Sequence, residues 1–393
     1  MKPLFRAAAS LIIFTALAVL TAISCGQKEE STPGLMFKMI NDNKAYSVSM
    51  GSANAADIVI PAVYKKLPVT GISEEGFSGQ RNIISVKIPN TVTSIGAYAF
   101  DSCVLLGSIT IPESVTNIGD YAFLYCASLT DIVIPAGVVN IGEGAFTACS
   151  SVENFVVDSG NAAYKSEGNN LIRKADNVLM TGFRNSVIPS GVTAIGDFAF
   201  WECAGLTNIT IPDSVTDIGS NAFNLCTNLT SIVIPDNVAY IGDAAFMSSG
   251  LISVVLPVSL KNINGSVFLS CKNLTSIIIP DSVTSIGSYA FADSGLTSII
   301  IPNRVTSIGN SSFSRSRLSS VIIPDNVTQI SDEAFFRVPL TSITIGANVT
   351  LGADAFSDSF VNAYNNEGRA AGTYTRSNTG ALTWTRARYR SWI

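Results

Sequence analysis

Seven cysteines, no histidine and a recurrent Pro-Asp step are the features of this 393-residue sequence that invite a chemical reading. Without histidine there is no Ser-His-Asp or Cys-His nucleophile and no imidazole to hold a metal. Cys25 stands alone behind an apolar run, whereas Cys103, Cys126, Cys149, Cys203, Cys226 and Cys271 all occupy the cysteine position of AFxxC, with Val267 for the alanine before Cys271. Zinc needs converging pairs such as CxxC, which are absent, so the shared setting reads as a ladder of small buried apolar side chains. Stacked neighbours such as Cys103 and Cys126 fall within disulfide range, but parallel Cβ directions oppose a bridge; in an exported chain their redox state stays open. Later coils carry Ser249, Ser294 and Ser316 near that position instead. Glu113, Asp213, Asp236, Asp281 and Asp325 each follow a proline and resemble a calcium ladder. Ala136, Val258 and Asn303 interrupt that ladder, and Pro-Asp is a turn-forming step. Asp332 and Glu333 are adjacent in one polar turn, and lysine, which a Ser-Lys pair needs, is almost absent from the coils. The expectation is a protein with no catalytic residues, no metal and no cofactor.

Composition narrows the partners. A chain that is 47% hydrophobic and only 13% charged can bury a large core. Its net charge of −5, with few basic runs, argues against nucleic acid, because phosphate contacts need clustered Lys and Arg.

Residues 1–24 have the plan of a signal peptide: Lys2 and Arg6, then the run AAASLIIFTALAVLTAIS. Ala22 and Ser24 before Cys25 resemble a bacterial lipobox, with Ala22 where leucine is usual. That resemblance implies cleavage and acylation of Cys25, and acyl chains embed by about 0.8 kcal/mol per buried CH₂. Residues 25–34, GQKEESTPG behind the cysteine, then form a polar lipidated tether.

The remainder repeats with a period of 23 residues that shortens to 22, as in ITIPESVTNIGDYAFLYCASLTD followed by IVIPAGVVNIGEGAFTACSSVEN. A phenylalanine column of twelve members runs from Phe77 to Phe356. In each coil LTxIxIP alternates β-branched residues and stops at a proline, which predicts a strand ended by a turn. SVTxIG predicts a second short strand closed by a glycine free to take positive φ. The xxAFxxC stretch predicts one helical turn with Ala, Phe and Cys inward. No coil can bury these residues alone, so the coils must stack. Residues 35–76 read as an N-terminal cap with a tight NDNK turn, and residues 357–393 as a C-terminal cap in which Arg386, Arg388 and Arg390 accompany Trp384 and Trp392. Between Asp158 and Pro189 the step lengthens to 31 residues, which predicts a hairpin near 159–185 projecting from one edge.

The combination LTxIxIP and SVTxIGxxAFxxC at this spacing resembles the BspA-like, or treponemal-type, leucine-rich repeat family over roughly residues 45–356. The resemblance implies a leucine-rich-repeat solenoid of about twelve coils over residues 77–356, mostly parallel β. It also implies a bacterial surface lipoprotein of the outer membrane, associated with adhesion to host matrix or to other bacteria.

The residue between the two isoleucines of LTxIxIP must face away from the core. In successive coils it is Lys87, Thr110, Val133, Val156, Val187, Thr210, Val233, Val255, Ile278, Ile300, Ile322 and Thr344. Val233 to Ile322 make five consecutive apolar coils, flanked by serines such as Ser231, Ser276 and Ser320. An exposed stripe of that length would mark a binding surface, with Val233, Val255, Ile278, Ile300, Ile322 and Thr344 as the candidate contacts for a protein ligand; the other reading is plain β-propensity, since strands of parallel sheets often run continuously apolar. The alternative is a membrane-anchored scaffold on the periplasmic side with no host ligand.

Overall fold

The computed structural model describes residues 31–387. Cys25, the signal segment, Arg388, Arg390 and Trp392 lie outside the described residues. Within them the repeat folds as a parallel-sheet β-solenoid of about 13 turns, with about 23 residues per turn and almost no helix.

Each coil contributes to two ladders. SVTxIG supplies strands such as Ser94–Ile95, Asn117–Ile118 and Asn140–Ile141, paired in parallel with Ile95 against Ile118 and Ile118 against Ile141. LTxIxIP supplies strands such as Asp131–Ile134 and Asn154–Val157, also parallel. In Asp131–Ile134 the alternation is strict: Ile132 and Ile134 are buried, Asp131 and Val133 exposed.

The third side differs from expectation. The xxAFxxC stretch is a run of turns rather than a helical turn. The N–H groups of Ala99, Asp101 and Cys103 bond to carbonyls three residues back, while those of Tyr98, Phe100 and Ser102 bond to Asp120, Ala122 and Leu124 in the next coil. A helix spends every N–H within its own coil; this run spends alternate ones on the neighbour, so the third side is stitched as well. Tyr98 and Ser102 take positive φ to permit it. The phenylalanine rings stack from coil to coil, with centroids 5.3 Å apart from Phe77 through Phe146.

The glycine after the second strand is also needed for a different reason. Gly96, Gly119 and Gly242 do not have positive φ. A Cβ on Gly119 would stand 2.4 Å from the Ala97 nitrogen, so the residue is small because the coil backbones approach closely there.

Polar side chains at repeat positions tie coils together. Ser114, Ser214 and Ser282 donate to Val92, Val192 and Leu260 carbonyls one coil back. Asp120, Asp197 and Asp332 accept the backbone N–H of Glu143, Ser220 and Ala353 one coil on. Ser312 is an exception: it occupies the column of Ala290 and Ala334, is fully buried, and its hydroxyl has no partner. Ser312→Ala is therefore expected to stabilise the fold by about 1 kcal/mol, read as a higher urea midpoint, since an unsatisfied buried hydroxyl costs about 1–3 kcal/mol.

The insert does not project. Tyr164–Ser166, Asn170–Arg173 and Val178–Gly182 form an antiparallel meander, and its last strand pairs in parallel with Ala194–Ile195 of the following coil. Its register is held by the ladder on that side, so it lies within the stack. The buried core correspondingly forms two clusters, one from Tyr46 to Phe183 and one from Ile172 to Trp384.

At the N-terminal end, Met36–Ile40 and Ala45–Ser49 form an antiparallel hairpin whose second strand receives Leu67–Ile72 in parallel. At the other end, helix Asp358–Asn366 is followed by Gly372–Thr375, which pairs antiparallel with Ser342–Ile345. The cation over Trp384 is Arg376, at 4.8 Å, while Arg386 pairs with Glu367 at 3.6 Å.

Candidate ligand-binding face

Alternation along the LTxIxIP strands places their middle residue outside the solenoid. Val233, Val255, Ile278, Ile300 and Ile322 are all exposed, with Ile278 and Ile300 at 85% and 82%. Such values are near those of a free chain, because nothing in the coil folds over them. Ladder pairing sets Val233 beside Val255, and Ile278 beside Ile300. Ser231, Ser253 and Ser320 flank the stripe on the same face, and no charged residue occupies either outward column from Ser231 to Ile322. The first half of the array differs, with Asp57, Lys87 and Asp131 in its outward columns.

Thr344 does not continue the open stripe. It pairs with Thr373 of the C-terminal cap, and their hydroxyls lie 2.9 Å apart. The cap strand comes from nearly thirty residues downstream, and the repeat alone carries no sign of where that strand docks.

The thiols have the surroundings of core residues. Cys103, Cys126, Cys149, Cys203, Cys226 and Cys271 are free and buried. The sulfurs of Cys103, Cys126 and Cys149 donate to the carbonyls of Phe77, Phe100 and Phe123, at 3.1–3.2 Å. Burial pushes Cys103, Cys149 and Cys203 up to about 12, and Cys271 to about 11; it holds Cys126 and Cys226 well above the ordinary thiol range too. Such thiols are poor nucleophiles.

Acidic residues serve turns and coil contacts. The residues after proline lie in turns closed by Val115 N–H to Pro112 O and by Val215 N–H to Pro212 O. The Glu143 carboxyl is raised, first by burial and then by Asp197 and Asp120. It lines an open groove with Arg173, Asp197, Asp217 and Tyr240 beside the insert. Among the described residues no group of three or more Cys, Asp or Glu side chains is placed to hold a metal ion. No helix among them is long and apolar enough to cross a membrane.

Residues 68–168, 179–291 and 240–362 match the BspA type leucine rich repeat region, in six copies. Among solved structures, a leucine-rich repeat protein from Eubacterium ventriosum is similar with a TM-score of 0.60 and 24% identity, over 78% of this chain and 93% of that one. A leucine-rich repeat protein from Bacteroides ovatus gives 0.41 and 24%, over 84% and 92%. A leucine rich cell surface protein from Faecalibacterium prausnitzii gives 0.38 and 23%, over 85% and 96%. No curated protein matches the sequence. With a matched region that spans most of its length and a solenoid built from the same repeat, the chain belongs to the BspA type leucine-rich repeat family.

Proposed function

We propose that this protein is a surface-displayed bacterial lipoprotein that binds other proteins through its repeat sheet, as an adhesin for host matrix or for other bacteria. Leucine-rich repeat proteins generally bind proteins, and their solenoid is typical of interaction proteins rather than enzymes. The single observation that carries the reading is the uncharged, exposed stripe from Val233 to Ile322. Soluble surfaces seldom leave β-branched side chains aligned over five coils without a use for them. Covering one such valine or isoleucine contributes about 1.5–3 kcal/mol, so five in a row supply the apolar centre of an interface while the serines supply its rim. In this reading the lipobox-like segment anchors the chain through Cys25, and residues 35–76 and 357–393 close its ends.

The test is binding of the mature chain to matrix proteins and to bacterial cells, compared with Ile278→Asp and Ile300→Asp. Both residues point into solvent, so the circular dichroism spectrum and urea midpoint are expected to stay unchanged. Affinity is expected to fall about 100-fold or more, because each aspartate leaves an unpaired charge in the contact. Undiminished binding by both variants overturns the site. Digestion by protease on intact cells supports surface display; protection until the cells are permeabilised overturns it and leaves the periplasmic scaffold.

A further inference from the structure

We infer that the chain is two solenoids joined end to end, with residues 158–182 closing the first and opening the second. The exposed apolar stripe then belongs wholly to the second solenoid, whatever ligand it takes.

The ladders of the first stack end on side chains. Within the array, strand N–H groups reach the next coil, as Ile60 N–H reaches Lys87 O and Ile234 N–H reaches Val255 O. At strands Asn140–Ile141 and Asn154–Val157 side chains take over. Ile141 N–H donates to the Tyr164 hydroxyl at 2.9 Å, Phe155 N–H to Asn169 Oδ1 at 2.8 Å, and Val157 N–H to Ser166 Oγ at 2.9 Å. Asn161, almost fully buried, donates to the carbonyls of Pro135 and Val138 and accepts the N–H of Ala163 and Tyr164. The C-terminal end uses the same device: Val349 N–H donates to the Tyr364 hydroxyl at 3.1 Å, and that hydroxyl donates to Gly346 O. A tyrosine hydroxyl thus closes the stack at 141 and again at 349.

The next stack begins on a hairpin, as the first one does. Hairpin Asn170–Arg173 with Val178–Gly182 has the form of hairpin Met36–Ile40 with Ala45–Ser49. Both turns carry asparagine at positive φ, Asn177 in one and Asn41 and Asn43 in the other. The second strand of each receives the following coil, through Gly196 N–H to Leu179 O and Ser73 N–H to Val48 O.

The core divides at the same place. Successive residues of one strand serve opposite sides, Leu171 packing in the first cluster and Ile172 in the second. Leu179 belongs to the second and Phe183 to the first. The hairpin is therefore a wall with one face on each core. The phenylalanine ladder breaks at the same place: Phe146 meets Phe155 edge-on at 73°, Phe155 stacks on Phe183, and a new ladder starts at Phe200. The Phe200 ring lies so close to Gly182 that a Cβ there would fall 2.1 Å from it.

Solenoid stability is a sum of coil terms and nearest-neighbour contacts, so a place where side chains close one stack, a hairpin strand opens the next and the core is divided is a boundary between cooperative units. Tyr121 against Phe198, Tyr125 against Trp201 and Glu202, and the Arg184–Glu153 pair span the junction, but they sit at its half-buried to exposed rim, outside both cores.

Hydrogen exchange on the full chain, read peptide by peptide, tests the assignment. Asn161→Ala with Tyr164→Phe removes the cap bonds that Asn161 and the Tyr164 hydroxyl make to the first unit, leaving those of Asn169 and Ser166. Exchange across 77–157 is expected to rise about tenfold or more, the effect of losing one buried hydrogen bond, with 192–356 unchanged. Should the double variant not fold, Tyr164→Phe alone keeps the ring and is expected to give the same one-sided pattern. An equal rise in both halves, with either variant, overturns the inference.

Discussion

Phe268→Ala is expected to lower stability by about 4 kcal/mol, among the largest effects of any single truncation in the array. Phe268 is fully buried and stacks on Phe246 and Phe291, with centroids at 5.7 and 5.5 Å. Alanine removes its apolar area, opens a cavity that two fixed coils cannot close, and cancels two ring contacts worth about 0.5–1.5 kcal/mol each. Phe268→Leu keeps most of the volume and loses the rings, so it is expected to cost about 1–2 kcal/mol. Urea unfolding followed by tryptophan fluorescence reads both. Among the described residues the tryptophans are Trp201 and Trp384, both beyond the dividing hairpin, so the signal reports the affected unit. Equal costs for alanine and leucine would show that ring stacking, not volume, sets the energy.

Raising the pH is expected to unfold the chain before it exposes its thiols to reagents. Six cysteines in the described residues are buried and held above the ordinary thiol range, first by desolvation. The sign follows from which state keeps the proton. Unfolded thiols ionise near pH 8.5–9, while the folded ones stay neutral to about 11–12. Their contribution is intact below pH 8.5 and is lost as pH rises toward the folded values. By pH 10 the loss is about 1.4–2 kcal/mol per thiol, so the three thiols in each core together cost about 4–6 kcal/mol, comparable with the stability of a small domain. Tyr121, also raised to about 12, adds to the loss in the upper part of that range. Urea midpoints under reducing conditions from pH 7 to pH 10 are expected to fall steeply, and more gently in a chain with the six cysteines replaced by alanine. A thiol reagent at pH 8 is expected to find none of the six in the native protein and all of them in urea. Identical pH profiles for the two chains would refute this.

The two ladders and the outward stripe are legible from sequence because each is a strand periodicity repeated at fixed spacing, and burial follows the alternation at Ile132, Val133 and Ile134. The turn run is not. Ala, Phe and Cys in AFxxC mimic one helical face, and the positive-φ positions that exclude a helix hold Tyr98, Glu202, Leu225 and Arg315, residues that give no local signal for that conformation. Hydrogen bonds to the next coil decide the backbone there, and no single coil contains them. The glycine column misleads in the converse way: glycine suggests positive φ, but the cause is the neighbouring coil's backbone. Asn264 and Ser331 stand in that column, so its spacing can adjust where a side chain is built in. For the insert, excess length is plain in the sequence, while its place within the stack depends on Tyr164 and Asn161 reaching Ile141 and Pro135, contacts that span more than twenty residues.

The dividing hairpin also bears on mechanics. A stack in which each coil touches only its neighbours carries tension along its axis in series, so a pull on its ends loads one ladder at a time and the coils peel away in succession. Where side chains rather than a following strand close the ladder, peeling has no next bond to load. The wall at 170–182 then acts as a rip-stop, confining damage that starts on one side to that side and leaving the stripe of the second solenoid in shape while the first gives way.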